Sequence, residues 1–349
     1  MLLRLALSLL LVLLAPAVVQ NAVAQNGPAS ASPDSTQSEQ TQPVLNPPDM
    51  SKVPWSPVRR NAAPGAPTPS IQVNVKLVSV FASVADSDGK PYAKLRKEDF
   101  RIYEEDVEQK IAVFERESEL PLSIAMALDT SLSTRKDLPL ETASARRFVH
   151  DVLRPVDSIA LYQFATYVSQ AVPFTSDERQ VDSSLEHLRT GAATALYDAI
   201  FLGARDLQRR QGRKVIVLIS DGGDTASKTD YPEALRAAQI SEAIIYSIIM
   251  VPIEADAGRD LGGEHALIQL SRDTGGSYYY ATSLAQLDDA FRQIGEELRT
   301  QYLLAYYPAS QVGPEFRRIR VEITAEARQK AQGELSVRNR AGYYNSKIE

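Results

Sequence analysis

Two hydrophobic periods alternate through the middle of this chain. Strand-like apolar runs cover Ser123–Leu128, Ile159–Phe164, Val168–Phe174, Lys214–Ser220 and Ala243–Met250, and helical patterns lie between them. Leu138, Thr142, Ala145, Phe148, Val149 and Val152 share one helical face; Leu196, Ile200, Gly203, Ala204 and Leu207 share a second. Leu284, Leu287, Phe291, Ile294 and Leu298 form a third. Val215–Ile219 is apolar without a break, as expected of a central parallel strand covered on both faces. Strands alternating with helices predict a doubly wound, mostly parallel α/β sheet over residues 120–300.

The flanks follow the period of two instead. Ile71, Val73, Val75 and Leu77 alternate, then the phase switches through Val78, Val80, Ala82 and Val84, which predicts a bulge or bend. Asp86-Ser87-Asp88-Gly89 is a turn, and strand-like segments follow at Phe100–Tyr103 and Gln109–Glu115. After Arg299, Tyr302–Tyr307 is one strand candidate; Ile319, Val321 and Ile323, then Leu335 and Val337, alternate with polar residues. Each flank, 71–119 and 301–349, is short of core for a domain of its own. The two are expected to pack into one small β-sandwich with the α/β domain inserted between its strands.

Residues 1–24 read as a signal peptide, with Arg4, an apolar Leu5–Leu14 core and Ala22-Val23-Ala24 before Gln25. The alternative is an uncleaved anchor, against which the run Leu5–Val19 falls short of the roughly 20 residues that span a bilayer. No other segment looks transmembrane, so the mature protein is expected in the periplasm, at the cell surface or outside the cell. Residues 25–70, rich in Ser, Pro, Gln, Ala and Asn, bury too little to offset ordering and read as a disordered tether carrying the lone Trp55.

Composition narrows the chemistry. With 38 basic and 44 acidic residues the net charge is -6, which offers no footprint for nucleic acid. Cysteine is absent and the 3 histidines are scattered, so disulfides and thiolate sites are excluded and a zinc site is disfavoured. A metal here must be held by oxygen. Asp129-Thr130-Ser131-Leu132-Ser133, a D-x-S-x-S box, closes the first strand-like run and gathers a carboxylate and two hydroxyls on one turn. Hard divalent cations take such oxygens, although Ser, Thr and Asp are also ordinary cap and turn residues. Thr194 precedes the second helical pattern, as a ligand or an N-cap; Asp221, in Ser220-Asp221-Gly222-Gly223-Asp224, ends another strand as a ligand or a turn residue. Both fall at the carboxyl edge of the sheet, where ligands of open α/β folds sit.

Together Asp129, Ser131, Ser133, Thr194 and Asp221 resemble the metal-ion-dependent adhesion site of von Willebrand factor type A domains, with every position filled. Thr194-Ala195-Leu196-Tyr197-Asp198, Leu218-Ile219-Ser220-Asp221-Gly222 and Asp273-Thr274-Gly275-Gly276 look like that family's later motifs. The likeness covers 121–300. The flanks, including Glu98-Asp99-Phe100, Gln109-Lys110-Ile111, Pro121-Leu122-Ser123, Tyr306-Tyr307-Pro308 and Gly342-Tyr343-Tyr344, are similar to exported bacterial type A proteins abundant in Acidobacteria.

The resemblance implies Mg2+, or Mn2+, held by these five residues and bridging to an Asp or Glu carboxylate of a protein partner. A site kept only for stability is the competing reading, as a structural or assembly subunit of the cell envelope. An enzyme is not expected: no Ser-His-Asp set, cysteine nucleophile or phosphate loop stands out, and Mg2+ hydrolases usually recruit more carboxylates. The acidic, glycine-rich segment 251–264 leaves a strand at the same edge and reads as a solvated loop.

Overall fold

The computed structural model of the chain describes residues 77–116, 119–132, 134, 136–251, 260–310, 312–331 and 333–345. The signal-peptide and tether segments, the alternation over 71–76, Ser133 and most of 251–264 lie outside the described residues. The first strands are Val78–Ala85 (β1), Phe100–Glu104 (β2), Val107–Gln109 (β3) and Ile111–Arg116 (β4). Next come Leu122–Asp129 (β5), Leu138–Val152 (α1), Ser158–Phe164 (β6), Val168–Thr175 (β7), Glu178–Leu185 (α2) and Leu196–Gln208 (α3). Arg213–Ser220 (β8), Tyr231–Ser241 (α4), Ile244–Met250 (β9), Leu261–Thr274 (α5), Tyr278–Ala281 (β10) and Leu284–Thr300 (α6) complete the middle. The chain closes with Tyr302–Tyr306 (β11), Phe316–Ile323 (β12), Ala325–Ala331 (α7), Ser336–Asn339 (β13) and Gly342–Tyr344 (β14).

Every residue of β5 is buried, which requires cover on both faces of its sheet. The sheet order is β10-β9-β8-β5-β6-β7, parallel throughout except for the edge strand β7, which runs antiparallel to β6. Alternate residues feed two separate layers. Ile124, Met126 and Leu128 join Val215, Val217 and Ile219 under α1, α2 and α6. Ala125 and Ala127 join Ile216 and Leu218 under α3, α4 and α5. The second layer is thin at its centre: a Cβ on Gly203 of α3 would meet the Ala125 Cβ at 3.4 Å, so two small residues let the helix lie close.

The apolar periodicity did not reveal α4 and α5, nor the short α2 and α7; α4 and α5 show why. Their buried faces are Ala234, Ala238, Gln239 and Ser241 in one, and Gly263, Glu264, Leu267, Leu270, Ser271 and Thr274 in the other. Stripes built largely of small or polar residues carry little hydrophobic signal. In particular Leu261–Glu264, read above as the end of a loop, is the first turn of α5, with Asp260 as its cap through Gly263 N at 3.0 Å.

The flanks form two four-stranded antiparallel sheets, β13-β1-β11-β4 and β14-β12-β2-β3. They share one core of Val78, Val80, Val84, Phe100, Ile102, Tyr302, Leu304, Ile319 and Val321 with their neighbours. The inserted domain leaves after β4 and returns into β11, which pairs directly with β4. The sandwich meets the α/β domain at the amino ends of the parallel strands. There Arg340 bonds Ser79 O at 2.8 Å and approaches Glu242, just before β9, at 3.3 Å. Gln301 reaches Ser83 Oγ at 3.2 Å and Tyr246 Oη at 3.1 Å, while Tyr246 donates to Glu297 at 2.8 Å and Arg338 pairs with the same carboxylate. The carboxyl ends of the strands, where ligands bind in such sheets, therefore face away from the sandwich.

Candidate metal centre

Asp129 is the last residue of β5 and is fully buried. Its Oδ1 accepts from Ser131 N at 2.9 Å and its Oδ2 from Ser220 Oγ at 2.7 Å, and the Ser131 hydroxyl also bonds to it. Burial at the strand end pushes its carboxyl up to about 6, and the charge of Asp221 adds to this; the Ser131 and Ser220 donors pull the other way. The turn after it is tied down by Thr134, whose hydroxyl donates to Asp129 O at 2.9 Å and Ser131 O at 3.3 Å. Ser131 is buried against that turn. Ser133 lies outside the described residues.

Three loops are stitched together around this turn. Thr130 donates from N and Oγ1 to Phe164 O, at 2.8 and 3.2 Å, joining the ends of β5 and β6. Gly191 N donates to Thr130 O, and Ala195 N to Ala165 O, which draws in the loop that carries Thr194. A Cβ on Gly191 would lie 2.6 Å from that of Ala165, so this approach needs glycine. Thr194 is buried, its N accepted by Thr225 Oγ1 at 3.0 Å and its O bonded by Thr225 N and Ala226 N.

Thr194 is not the helix cap that its position allowed. The cap position of α3 is Ala195, and the first amides of the helix are met from another loop by Asp224: Leu196 N at 2.8 Å and Tyr197 N at 3.3 Å. Asp198 returns the link, accepting from Lys228 N and Thr229 N. Burial raises the Asp198 carboxyl, but these amide bonds outweigh burial and hold it below the usual carboxylate range. The segment after Asp221 is thus fastened to the head of α3.

Asp221 follows β8 at the same edge and is partly buried; its Oδ1 is a long 3.5 Å from Gly223 N. Ser220 turns its hydroxyl to Asp129 and accepts from Gly222 N at 3.1 Å. Gly222 has φ 97°, and a Cβ there would lie 2.7 Å from the Gly263 carbonyl carbon, so α5 presses directly on this loop.

Four of the five expected site residues, Asp129, Ser131, Thr194 and Asp221, therefore come together on adjoining loops at one edge. Among the described residues no three His, Asp or Glu side chains group closely enough to grip a metal on their own. The candidate donors are two carboxylates with neutral hydroxyls, hard oxygens of the kind that would suit Mg2+ or Mn2+.

The sequence reading missed Asp224 and Ser220 as supports, and it also missed Glu141. The buried stripe of α1 is Glu141, Ser144, Ala145, Phe148, Val149 and Val152. Leu138 and Thr142, expected on this face, are only partly covered. Stepping back from Val152 by 3 and 4 residues at a time reaches Glu141, so periodicity held that signal.

Residues 124–223 match the family model described as the von Willebrand factor type A domain. Among solved structures, the chain is similar to the conserved hypothetical protein BatB from Bacteroides thetaiotaomicron, with 21% identity over 51% of this chain and 100% of that one, TM-score 0.42. It is similar to an aerotolerance-related membrane protein from Bacteroides fragilis, with 21% identity over 51% and 98%, TM-score 0.40. The vWF domain of the type V pili tip protein Mfa5 from Porphyromonas gingivalis gives 16% identity over 51% and 94%, TM-score 0.41. No curated protein matches the chain. The six-stranded α/β body, with Asp129 through Asp221 inside the matched stretch, has the von Willebrand factor type A fold.

Proposed function

We propose that this chain is an exported binding protein that takes an Asp or Glu carboxylate of a protein partner through Mg2+, or Mn2+, held by Asp129, Ser131, Ser133, Thr194 and Asp221. The observation that carries the reading is Asp129. It is a fully buried carboxylate, raised by desolvation, beside the like charge of Asp221, at the edge of the sheet where ligands bind. Such a pair is unfavourable alone and is relieved by a divalent cation. A bound ion would supply a Lewis-acidic position that two carboxylates neutralise and that a hard anion can still enter.

The chain's own residues hold this pair in place before any ion arrives. Ser220 and the Ser131 amide orient Asp129, Thr134 fixes the turn, and Asp224 and Asp198 anchor the loops of Thr194 and Asp221. Export rests on the N-terminal segment read above; no helix among the described residues is long and apolar enough to cross a membrane. We read a binding module rather than an enzyme because two carboxylates with hydroxyls suit the holding of one ion, whereas Mg2+ hydrolases usually recruit more carboxylates.

The test is calorimetric titration of the protein with Mg2+ and Mn2+, beside the double variant Asp129→Ala/Asp221→Ala. Saturable binding lost in the variant supports the site. Acetate, as a carboxylate mimic, should then lower the solvent proton relaxation of the Mn2+ complex by displacing bound water. No saturable binding by folded wild type at millimolar metal overturns the reading in favour of an envelope subunit without a working metal.

A further inference from the structure

Glu141 is the one acidic side chain on the buried stripe of α1, in the first turns of the helix. Ser144, Ala145, Phe148, Val149 and Val152 continue that stripe, and the last four of these pack in the core layer beneath the sheet. Glu141 is fully buried, and neither of its carboxyl oxygens has a hydrogen-bond partner. The charges that act on it are those of Asp129, Asp137 and Asp221, all negative. It therefore sits at the metal end of the stripe, on the side that faces the site.

A buried carboxyl without a partner costs stability whether or not it carries a proton. A leucine at this position would extend the apolar stripe and remove that cost. Burial, with the three like charges added, holds the group well above the carboxylate range, which marks the environment as lacking something positive. The helix N-terminus offers only a fraction of a charge. What the surroundings lack is a cation and the hydrogen-bond donors it brings. A serine or water whose oxygen goes to a metal must send its proton elsewhere, and it needs a nearby acceptor.

Resting on the metal reading above, we propose that Glu141 is an outer carboxylate of this centre, positioning the coordinated hydroxyls or water by accepting their protons. It acts through that shell and is not itself a ligand, because no three acidic groups among the described residues lie close enough to grip one ion. The carboxylates serving the centre then number three, Asp129, Asp221 and Glu141, which favours retention of a divalent over a monovalent cation.

The experiment compares wild type, Glu141→Gln and Glu141→Leu as full chains. Mg2+ and Mn2+ affinity is read by calorimetry, the Mn2+ environment by electron paramagnetic resonance, and Tm is measured in EDTA. Both variants are expected to keep or raise the Tm in EDTA. Glu141→Leu should weaken Mn2+ about 10–100-fold, the range for removing an outer partner. Glu141→Gln, which retains an acceptor oxygen, should fall between, and the Mn2+ spectrum should broaden in both. Wild-type affinity and an unchanged spectrum in both variants would overturn the proposal while leaving the metal site standing. Absence of metal binding by the wild type overturns the metal reading and this one with it.

Discussion

Asp129→Asn separates the charge of this residue from its shape. The carboxyl rises from its ordinary 3.8 to about 6 because burial strips its hydration, with the Asp221 charge adding. A raised carboxyl binds its proton more tightly folded than unfolded. Its stabilising effect is therefore complete below pH 3.8 and is lost as pH rises through 6. At about 1.4 kcal/mol per pH unit the full span is worth roughly 3 kcal/mol, most of which falls between pH 4 and pH 7.5. Asn keeps the bond from Ser131 N through its oxygen but donates to Ser220 Oγ where Asp accepted from it, a cost that does not vary with pH. Denaturant unfolding in EDTA should then show the variant gaining on wild type by roughly 2–3 kcal/mol from pH 4 to pH 7.5. In Mg2+ at a hundredfold over Kd the wild type gains about 2.7 kcal/mol and the gap closes, because the variant has lost a ligand. A stability gap in EDTA that stays constant across this pH range would refute the argument that burial raises Asp129.

Other parts of the frame give sharper structural readouts. Gly222→Ala forces a Cβ into a left-handed position, 2.7 Å from the Gly263 carbonyl carbon; it should cost at least about 1–2 kcal/mol by thermal unfolding and weaken Mn2+ binding. Asp224→Ala removes the cap that α3 receives from the neighbouring loop. It should cost about 0.5–2 kcal/mol and lower metal affinity by freeing the Thr194 loop, whereas Asp224→Asn should retain most of both. In the sandwich, Glu104 accepts from Arg317 at 2.7 Å, Tyr306 at 2.7 Å and Tyr343 at 3.0 Å. Glu104→Ala leaves Arg317 buried without its partner and should cost about 3–5 kcal/mol in denaturant unfolding, with no change in metal affinity of the protein that folds.

The fold was legible where burial is made of large apolar side chains. β5, β8 and the faces of α3 and α6 announce themselves because Ile, Val, Leu and Phe recur at periods set by backbone geometry. α4 was not, since Ala234 and Ala238 are enough to cover a strand already rich in Ile. The candidate metal residues could be picked out in the chain because a D-x-S-x-S turn, a threonine before α3 and an aspartate after β8 have recognisable chemistry. Their supports could not. Asp224 caps a helix 28 residues earlier in the chain, and Ser220 bonds a carboxylate 91 residues away. Such bonds depend on which loops the sheet order makes neighbours, and β5 lies between β6 and β8 only once the sheet has formed. Glu141 was hidden for another reason: a single acid on a helix is ordinarily read as facing water.

The way the two bodies are joined gives the site its setting. β4 and β11 are paired neighbours, so the insertion departs and returns on adjacent strands, beside the Glu297, Arg338, Gln301 and Tyr246 network. That network and the Arg340 contacts all lie at the amino ends of the parallel strands. An 8-residue strand such as β5 spans about 26 Å, so these junction contacts stand roughly that far from the Asp129 edge, while Glu315 and Tyr344 of the sandwich reach Arg236 midway along α4. A partner that docks at the proposed metal edge meets the loops after β5, β6 and β8, away from that junction. Substitutions in the junction, such as Arg338→Ala, should thus lower Tm without changing metal affinity. A loss of affinity on Arg338→Ala in protein that remains folded would mean that the sandwich acts on the site through the sheet, and the picture of a passive mount would have to be abandoned.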